Sequence, residues 1–463
     1  MYGPPPDPRQ LIAPTGFADE PLAWLACIAL GLLLSGAALA IRRAPVTLRA
    51  LAFITGQVTA LTVPLVWNID RYVYGSFPTI DKEGSLLFYA DGVHIRMVTD
   101  PMASLSDPAA ALIGVHVGHL WLSQALDLVL SPIGAFNAQG LLYIVLGWLC
   151  AWVLLREVSK DDAVAMILSM PYGMGLHVFR DLNWYTIEKA ATFFVPLYMW
   201  TFWRAHERGG KWIALPALCF LVMCWINLYL GLTCGLFAAM VVAWQASGAV
   251  KARKLTEGLR RCFLAAAASA IAAMPIMLWQ HALMDGGPQL ATPEEFLWQR
   301  AALDGFSLVP LRWNRLELYA ALSPLALALA ALGAVKMRRE RGVQLAMAVG
   351  GVMFLLSIGP ALLPGPPVVI NPVYMAAREV VPGFWRVAKP EVFFQVTWTL
   401  ILAIAALQLV AMRPGRRVLG VLYGLTVVGW VVFVRGHDVY PPMTVAVESA
   451  LAPGWEQGVF QED

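Results

Sequence analysis

The chain alternates between long apolar runs and short polar connections. Twelve runs approach the roughly 20 residues that a helix needs to cross a bilayer. They cover about 21–41, 48–67, 138–155, 163–179, 188–203, 213–229, 231–246, 262–283, 318–335, 343–362, 394–412 and 417–434. The pattern predicts an all-α integral membrane protein of about twelve transmembrane helices, forming a single polytopic domain. One further stretch, 109–134 (AAALIGVHVGHLWLSQALDLVLSPIG), is apolar but carries His116, His119, Ser123 and Asp127 at helical spacing. That single polar stripe predicts an amphipathic helix lying on the membrane surface, not a thirteenth span.

The connections are not equivalent. Every second one is short and basic: Arg42, Arg43 and Arg49; Arg156 and Lys160; Arg204, Arg208 and Lys211; Lys251, Arg253, Lys254, Arg260 and Arg261; Lys336, Arg338, Arg339 and Arg341; Arg413, Arg416 and Arg417. Lys and Arg are retained on the cytoplasmic side of a membrane. With both termini outside, all six clusters fall in the cytoplasm. A crossing at 109–134 would invert every later cluster, which is a second reason to lay that helix on the surface. The outer segments are longer: 68–137 with its interfacial helix, 284–317, 363–393 and the tail 435–463, plus a short link at 180–187.

Composition agrees with this reading. Of 463 residues, 59% are apolar and 14% charged, against about 25% charged in a globular chain. The net charge of +3 conceals two opposed halves, because the cytoplasmic connections hold most of the Lys and Arg and few of the Asp and Glu. Basic residues spread over six short turns form no nucleic-acid-binding patch. Cys27, Cys150, Cys219, Cys224, Cys234 and Cys262 all lie in or beside apolar runs with no C-x-x-C spacing, so neither a disulfide framework nor a cysteine metal site is expected. The start, MYGPPPDPRQ, lacks a basic region, and the first run is read as a retained span, not a cleaved signal.

Chemistry is expected in the outer segments, where there is enough chain to build a site. The first opens WNIDRYVYGSFPTIDKEGSLLFYADGVHIRMVTDP. Asp70 follows the second run directly; Asp81, Glu83, Asp91 and Asp100 come after it. A carboxylate at the mouth of a membrane cavity can serve as a general base or hold a divalent cation; the plainer alternative is a solvated loop acid. His116 and His119 share a helical face and, with Asp70, are the candidate metal ligands. The plainer reading is a polar helix face touching headgroups. His94 is the remaining histidine of that segment. Arg180, Asp181, Glu188 and Lys189 ring the short outer link, either pairing at span ends or lining a cavity. His177 and His281 read as packed histidines. Arg378, Arg386 and Lys389 lie outside, against the positive-inside bias. A phosphate or diphosphate at headgroup level would account for them, as would pairing with Glu379 and Glu391. Arg312 and Arg315, flanking Trp313, invite the same reading.

Three stretches carry a family resemblance. They are SPIGAFNAQGLLYIVLGWLCAWVLLREVSKDDAVAMILSMPYGMG, CWINLYLGLTCGL, and LLSIGPALL followed by VPGFWRVAKPEVFFQVTWTLILAIAAL. In this order, over about residues 100 to 412, they resemble polytopic glycosyltransferases of the GT-C superfamily, in a bacterial branch. The likeness lies in an N-x-x-x-L-L span after an outer interfacial helix, a tight aromatic and Gly-rich hairpin, and an approach of the form PGF…R…P…F to a late span. It implies an inner-membrane enzyme that moves a sugar from a polyprenyl-phosphate carrier on the periplasmic face. An outer-loop carboxylate would act as base or metal ligand: Asp70 first, then Asp81 and Asp91. Arg386 and Lys389, with Arg378, Arg312 and Arg315 behind them, would hold the carrier phosphate. The chain departs from the family in three ways. The first outer segment has no D-x-D, two runs precede it in place of one, and an expected R-x-P-x-R is here Lys389-Pro390-Glu391. A second expectation follows, of a GT-C-like subunit without catalysis in a larger membrane assembly. A third, a transporter of lipid-linked substrate, fits less well because no inverted repeat is visible.

Overall fold

The computed structural model describes residues 21–41, 43–69, 132–175, 190–252, 256–285, 324–363, 369–381 and 390–436, with short pieces at 122, 125–126, 128–130, 178–179 and 384. These residues are helical throughout, apart from one small β-ribbon. In chain order the helices are α1 (Pro21–Ala40), α2 (Val46–Leu61), α3 (Val63–Trp67), α4 (Pro132–Ser159), α5 (Asp162–Gly173), α6 (Phe194–Arg208) and α7 (Ala214–Ile226). There follow α8 (Leu228–Ala252), α9 (Glu257–Asp285), α10 (Pro324–Lys336), α11 (Arg341–Ile358), α12 (Pro372–Val380), α13 (Phe394–Ala411) and α14 (Arg416–Gly436). The ribbon pairs β1 (Ala361–Leu363) with β2 (Val369–Ile370), antiparallel.

A helix overlies each of the twelve apolar runs. Six helices are both long and apolar enough to cross a membrane: α1, α4, α8, α9, α11 and α13; α2, α7 and α10 are shorter apolar helices. Several boundaries differ from the sequence pattern. The second run breaks at Thr62, two residues before Pro64, which has no N–H to continue the helical ladder, so α2 and α3 are separate helices. Helix α4, over the third run, begins at Pro132, within the segment read as an outer loop. The segment 363–393 is not all loop, because α12 lies inside it. Most of 109–134 falls outside the described residues.

Contacts fix the direction of each helix. Gly173 near the end of α5 sits against Trp148 of α4, where an added Cβ would lie 2.6 Å from the Trp148 Cα. Glycine therefore allows the two antiparallel helices to touch backbone to backbone. Gly56 of α2 makes a similar approach to α1, 2.6 Å from the Gly31 carbonyl for an added Cβ. Small residues bring helices together where hydrocarbon outside the protein is no poorer a solvent than the interior. Asn227 turns α7 into α8 as a single residue: its side chain accepts from the Tyr229 and Leu230 amides at 2.9 and 3.3 Å. Gly333 of α10 packs against Ile404 and Gln408 of α13, so those helices run parallel.

These directions gather the connections 156–162, 204–213 and 256–261 at one end, the basic end, together with the turns after α10 and α13. Of the six longest apolar helices, α13 is the most enclosed and α4 is next. The periphery is apolar too: Leu22 is 81% and Leu33 71% exposed. Large side chains facing outward around a core that includes alanines, glycines and serines is the arrangement a lipid surrounding favours.

Candidate functional site

The end opposite the basic one is where the chain leaves α3 and enters α4. There the Asn137 amide of α4 donates to the Ile69 carbonyl at 2.9 Å, which ties the chain leaving α3 to the start of α4. Asn68 and Asn137 are both buried. Further along α4, the Gln139 amide donates to the Tyr143 hydroxyl at 2.7 Å, and the Tyr143 ring lies 5.4 Å from that of Phe193 at the start of α6. The Tyr172 hydroxyl of α5 donates to the Thr192 carbonyl at 2.9 Å and lies 3.3 Å from the Gln395 amide oxygen of α13. The Trp430 indole of α14 donates to the Met174 carbonyl at 2.9 Å. Five helices thus meet in a buried layer of neutral amides, hydroxyls and an indole. Within apolar surroundings such groups are costly unless bonded to one another, so each bond specifies how the helices dock. The Thr192 hydroxyl has no partner among the described residues.

A second wall follows α11. Asn371 closes the turn there: its amide donates to the Leu355 and Gly359 carbonyls at 2.6 and 2.8 Å. Its side-chain oxygen accepts from the Val373 and Tyr374 amides and so caps α12. Proline at the first position of α12 suits a helix start, where no N–H partner is needed. Beyond α12, Phe384 and Phe393 stack with centroids 5.4 Å apart and planes 6° from parallel. Tyr374 meets Phe384 edge-on at 5.0 Å. Two fully buried rings therefore pin both ends of the segment that carries Arg386 and Lys389.

Of the residues singled out from the sequence, Arg378 is placed: it is half-buried in the last turn of α12. Asp70, Asp81, Asp91, Arg312, Arg315, Arg386, Lys389, His116 and His119 lie outside the described residues, as do His94, Arg180, Asp181, Glu188 and Lys189. Among the described residues no three His, Cys, Asp or Glu side chains come together to hold a metal ion. The hydrogen-bonded groups of this layer are neutral. They can position hydroxyl-rich or polar ligand groups. Sequence reasoning missed the polar layer. Its signal was present in Asn137, Gln139 and Gln395, polar residues at the outer margins of apolar runs, where a side chain that is not lipid-facing usually has a partner.

At the basic end the cations are partly committed. Glu157 of α4 accepts from Arg204 of α6 and from Lys160, and Arg156 pairs with Asp162 across the α4–α5 turn. Arg261 of α9 donates to the Glu207 carbonyl at 2.6 Å and to Glu257 at 3.0 Å. It also lies over Gly209, which ends α6 at a φ of 63°, a conformation glycine adopts without cost. Arg208 stands 4.5 Å over the Trp212 ring. These residues knit helix ends together besides marking a side.

No protein-family model matches the chain, and no curated protein matches it.

Proposed function

We propose that the chain is a multi-pass protein of a bacterial inner membrane, with twelve spans and both termini in the periplasm. In this reading it is a GT-C-like glycosyltransferase that takes a sugar from a polyprenyl-phosphate carrier on the periplasmic face. The observation that carries it is the sorting of helix ends. The described basic connections share one end, and the segments bearing Asp70 and Arg386 leave from buried anchors at the other. Asn137 and Ile69 anchor the first; the stacked Phe384 and Phe393 anchor the second. In the proposed reaction a carboxylate, Asp70 or one of Asp81 and Asp91, removes a proton from the acceptor hydroxyl. The oxygen attacks the anomeric carbon, and the carrier phosphate departs onto Arg386 and Lys389. Arg378, Arg312 and Arg315 add positive charge around the carrier. A divalent cation held through His116, His119 and Asp70 is the cofactor this chemistry would use.

The test is binding of a polyprenyl monophosphate to the full chain in lipid nanodiscs, read by native mass spectrometry. Arg386→Ala with Lys389→Ala should weaken it by about tenfold or more, the weight of one charge-assisted contact or more. Undiminished binding in the double variant overturns the phosphate role.

A second reading is a GT-C-like subunit without catalysis in a larger membrane assembly. It is favoured by the Lys389-Pro390-Glu391 sequence and by the neutral character of the polar layer. Asp70→Asn separates the two: an enzyme loses turnover, whereas a structural subunit keeps its assembly unchanged.

A further inference from the structure

A cavity of about 190 Å³ opens at the basic end, between α4, α6, α8, α9, α11 and α13. Its walls are almost wholly apolar. Leu154, Phe202, Phe237, Val349 and Leu407 contribute most of the bulk. Polar groups touch it in a few places, among them the His206 imidazole with the Cys262 thiol 3.3 Å away. Small residues create the space: Gly342 and Ala346, one turn apart on α11, face Ala403 on α13. A Cβ added at Gly342 would meet nothing within 4 Å. Exposed Trp203 and Gly342 mark the mouth. An apolar cavity of about 150 Å³ already stays dry and takes up a small hydrocarbon, so this one suits a hydrocarbon occupant better than water.

The charge beside the mouth identifies the rest of the occupant. Arg341 directly precedes Gly342, and Arg338 and Arg339 lie in the same turn, all exposed. The turn after α13 adds Arg413, Arg416 and Arg417. Among the described residues none of these six pairs with a carboxylate. Glu157 and Glu257 are taken up by cations from α4, α6 and α9, and the exposed Glu340 offsets one of the three charges of the Arg338–Arg341 turn. A surplus of unpaired guanidinium groups over a hydrocarbon-sized cavity is complementary to one amphiphile. We propose that the cavity holds an acyl chain of an anionic phospholipid, whose phosphate is bound by the Arg338–Arg341 turn. This rests on the reading of the chain as a multi-pass membrane protein and is independent of its transferase activity. The site lies at the end away from the proposed catalytic segments.

The experiment uses the full chain in nanodiscs of phosphatidylglycerol or phosphatidylcholine. Each carries a trace of the same lipid with a photoreactive diazirine in one acyl chain, and the labelled peptides are mapped by mass spectrometry. The glycerol lipid should label the first turns of α11 and the end of α13 in preference to the choline lipid. Gly342→Leu should cut that labelling about tenfold, the weight of about two buried methylenes. Ala346→Phe should do the same, and an unchanged thermal midpoint in both shows that the fold survives. Because position 342 faces open space, the first variant stands even where the second fails to fold. Arg338→Gln with Arg339→Gln and Arg341→Gln should equalise the two lipids. Unchanged labelling in Gly342→Leu, or equal labelling by both lipids in the native chain, overturns the proposal. Failure of the chain to enter nanodiscs at all would instead overturn the membrane reading beneath it.

Discussion

Single glycines and single charges decide how closely these helices approach. Gly173 and Gly36 make a direct comparison. An added Cβ at Gly173 runs into the Trp148 backbone, which cannot yield, whereas one at Gly36 meets nothing within 4 Å. Gly173→Ala should therefore cost about 1–3 kcal/mol through forced separation of α4 and α5. Gly36→Ala should be neutral or gain up to about 1 kcal/mol from helix propensity. Thermal midpoints in one detergent check both. Glu157 is the corresponding case for charge. Its side chain is 14% exposed and that of Arg204 18%. Glu157→Gln strands a largely enclosed guanidinium and should lose about 2 kcal/mol, measured in the same way. The sequence placed Arg204 among topological markers, because a basic residue in a short cluster at the end of an apolar run carries no sign of its partner. The partner stands 47 residues earlier in the chain and becomes visible only when α4 and α6 lie side by side.

At the scale of elements, the apolar runs were legible because hydrophobic length is a property of local sequence. The breaks at Thr62 and Asn227 were harder to read. The first follows from Pro64 inside an otherwise continuous apolar run, and the second from one Asn side chain bonding the next backbone amides, which costs the pattern almost nothing. Helix α12 lies inside 363–393 behind a recognisable Asn371-Pro372 start signal, but its nine residues are too few to form an apolar run of spanning length. Asn371 gives this element its own prediction. Asn371→Ala removes a cap worth about 1 kcal/mol and leaves the Leu355 and Gly359 carbonyls without their donor. Hydrogen exchange by mass spectrometry should rise through 371–381 while α13 stays protected. Asn371→Asp retains the cap but turns an acceptor toward two carbonyls, and it should be no better than alanine. A variant with aspartate fully protected would show that the donor contacts are dispensable.

The whole molecule is organised by the sorting of its ends, and this can be probed directly. All six cysteines are buried, so the native chain offers a quiet background for an impermeant maleimide. Lys211→Cys and Gly415→Cys lie at exposed positions of the basic end, and Glu379→Cys lies on the exposed surface of α12. In intact cells Glu379→Cys should react, while the other two react only after lysis. Labelling of all three before lysis would undo the alternation. The candidate site was less legible than the scaffold. Charge sorting could say which connections are basic and which are not, since that needs only counting. Whether Asp70 and Arg386 share one site depends on the folding together of segments distant in the chain, which no local pattern encodes.

Helix α13 is made late in synthesis yet lies in the middle of the finished bundle. The helices translated before it must hold open a slot of its width. In that slot Tyr172 awaits Gln395, and the Gly350 carbonyl awaits the Thr397 hydroxyl, 3.0 Å away in the finished protein. A ribosome product that stops short of Pro390 therefore presents polar groups and a vacant seam to lipid.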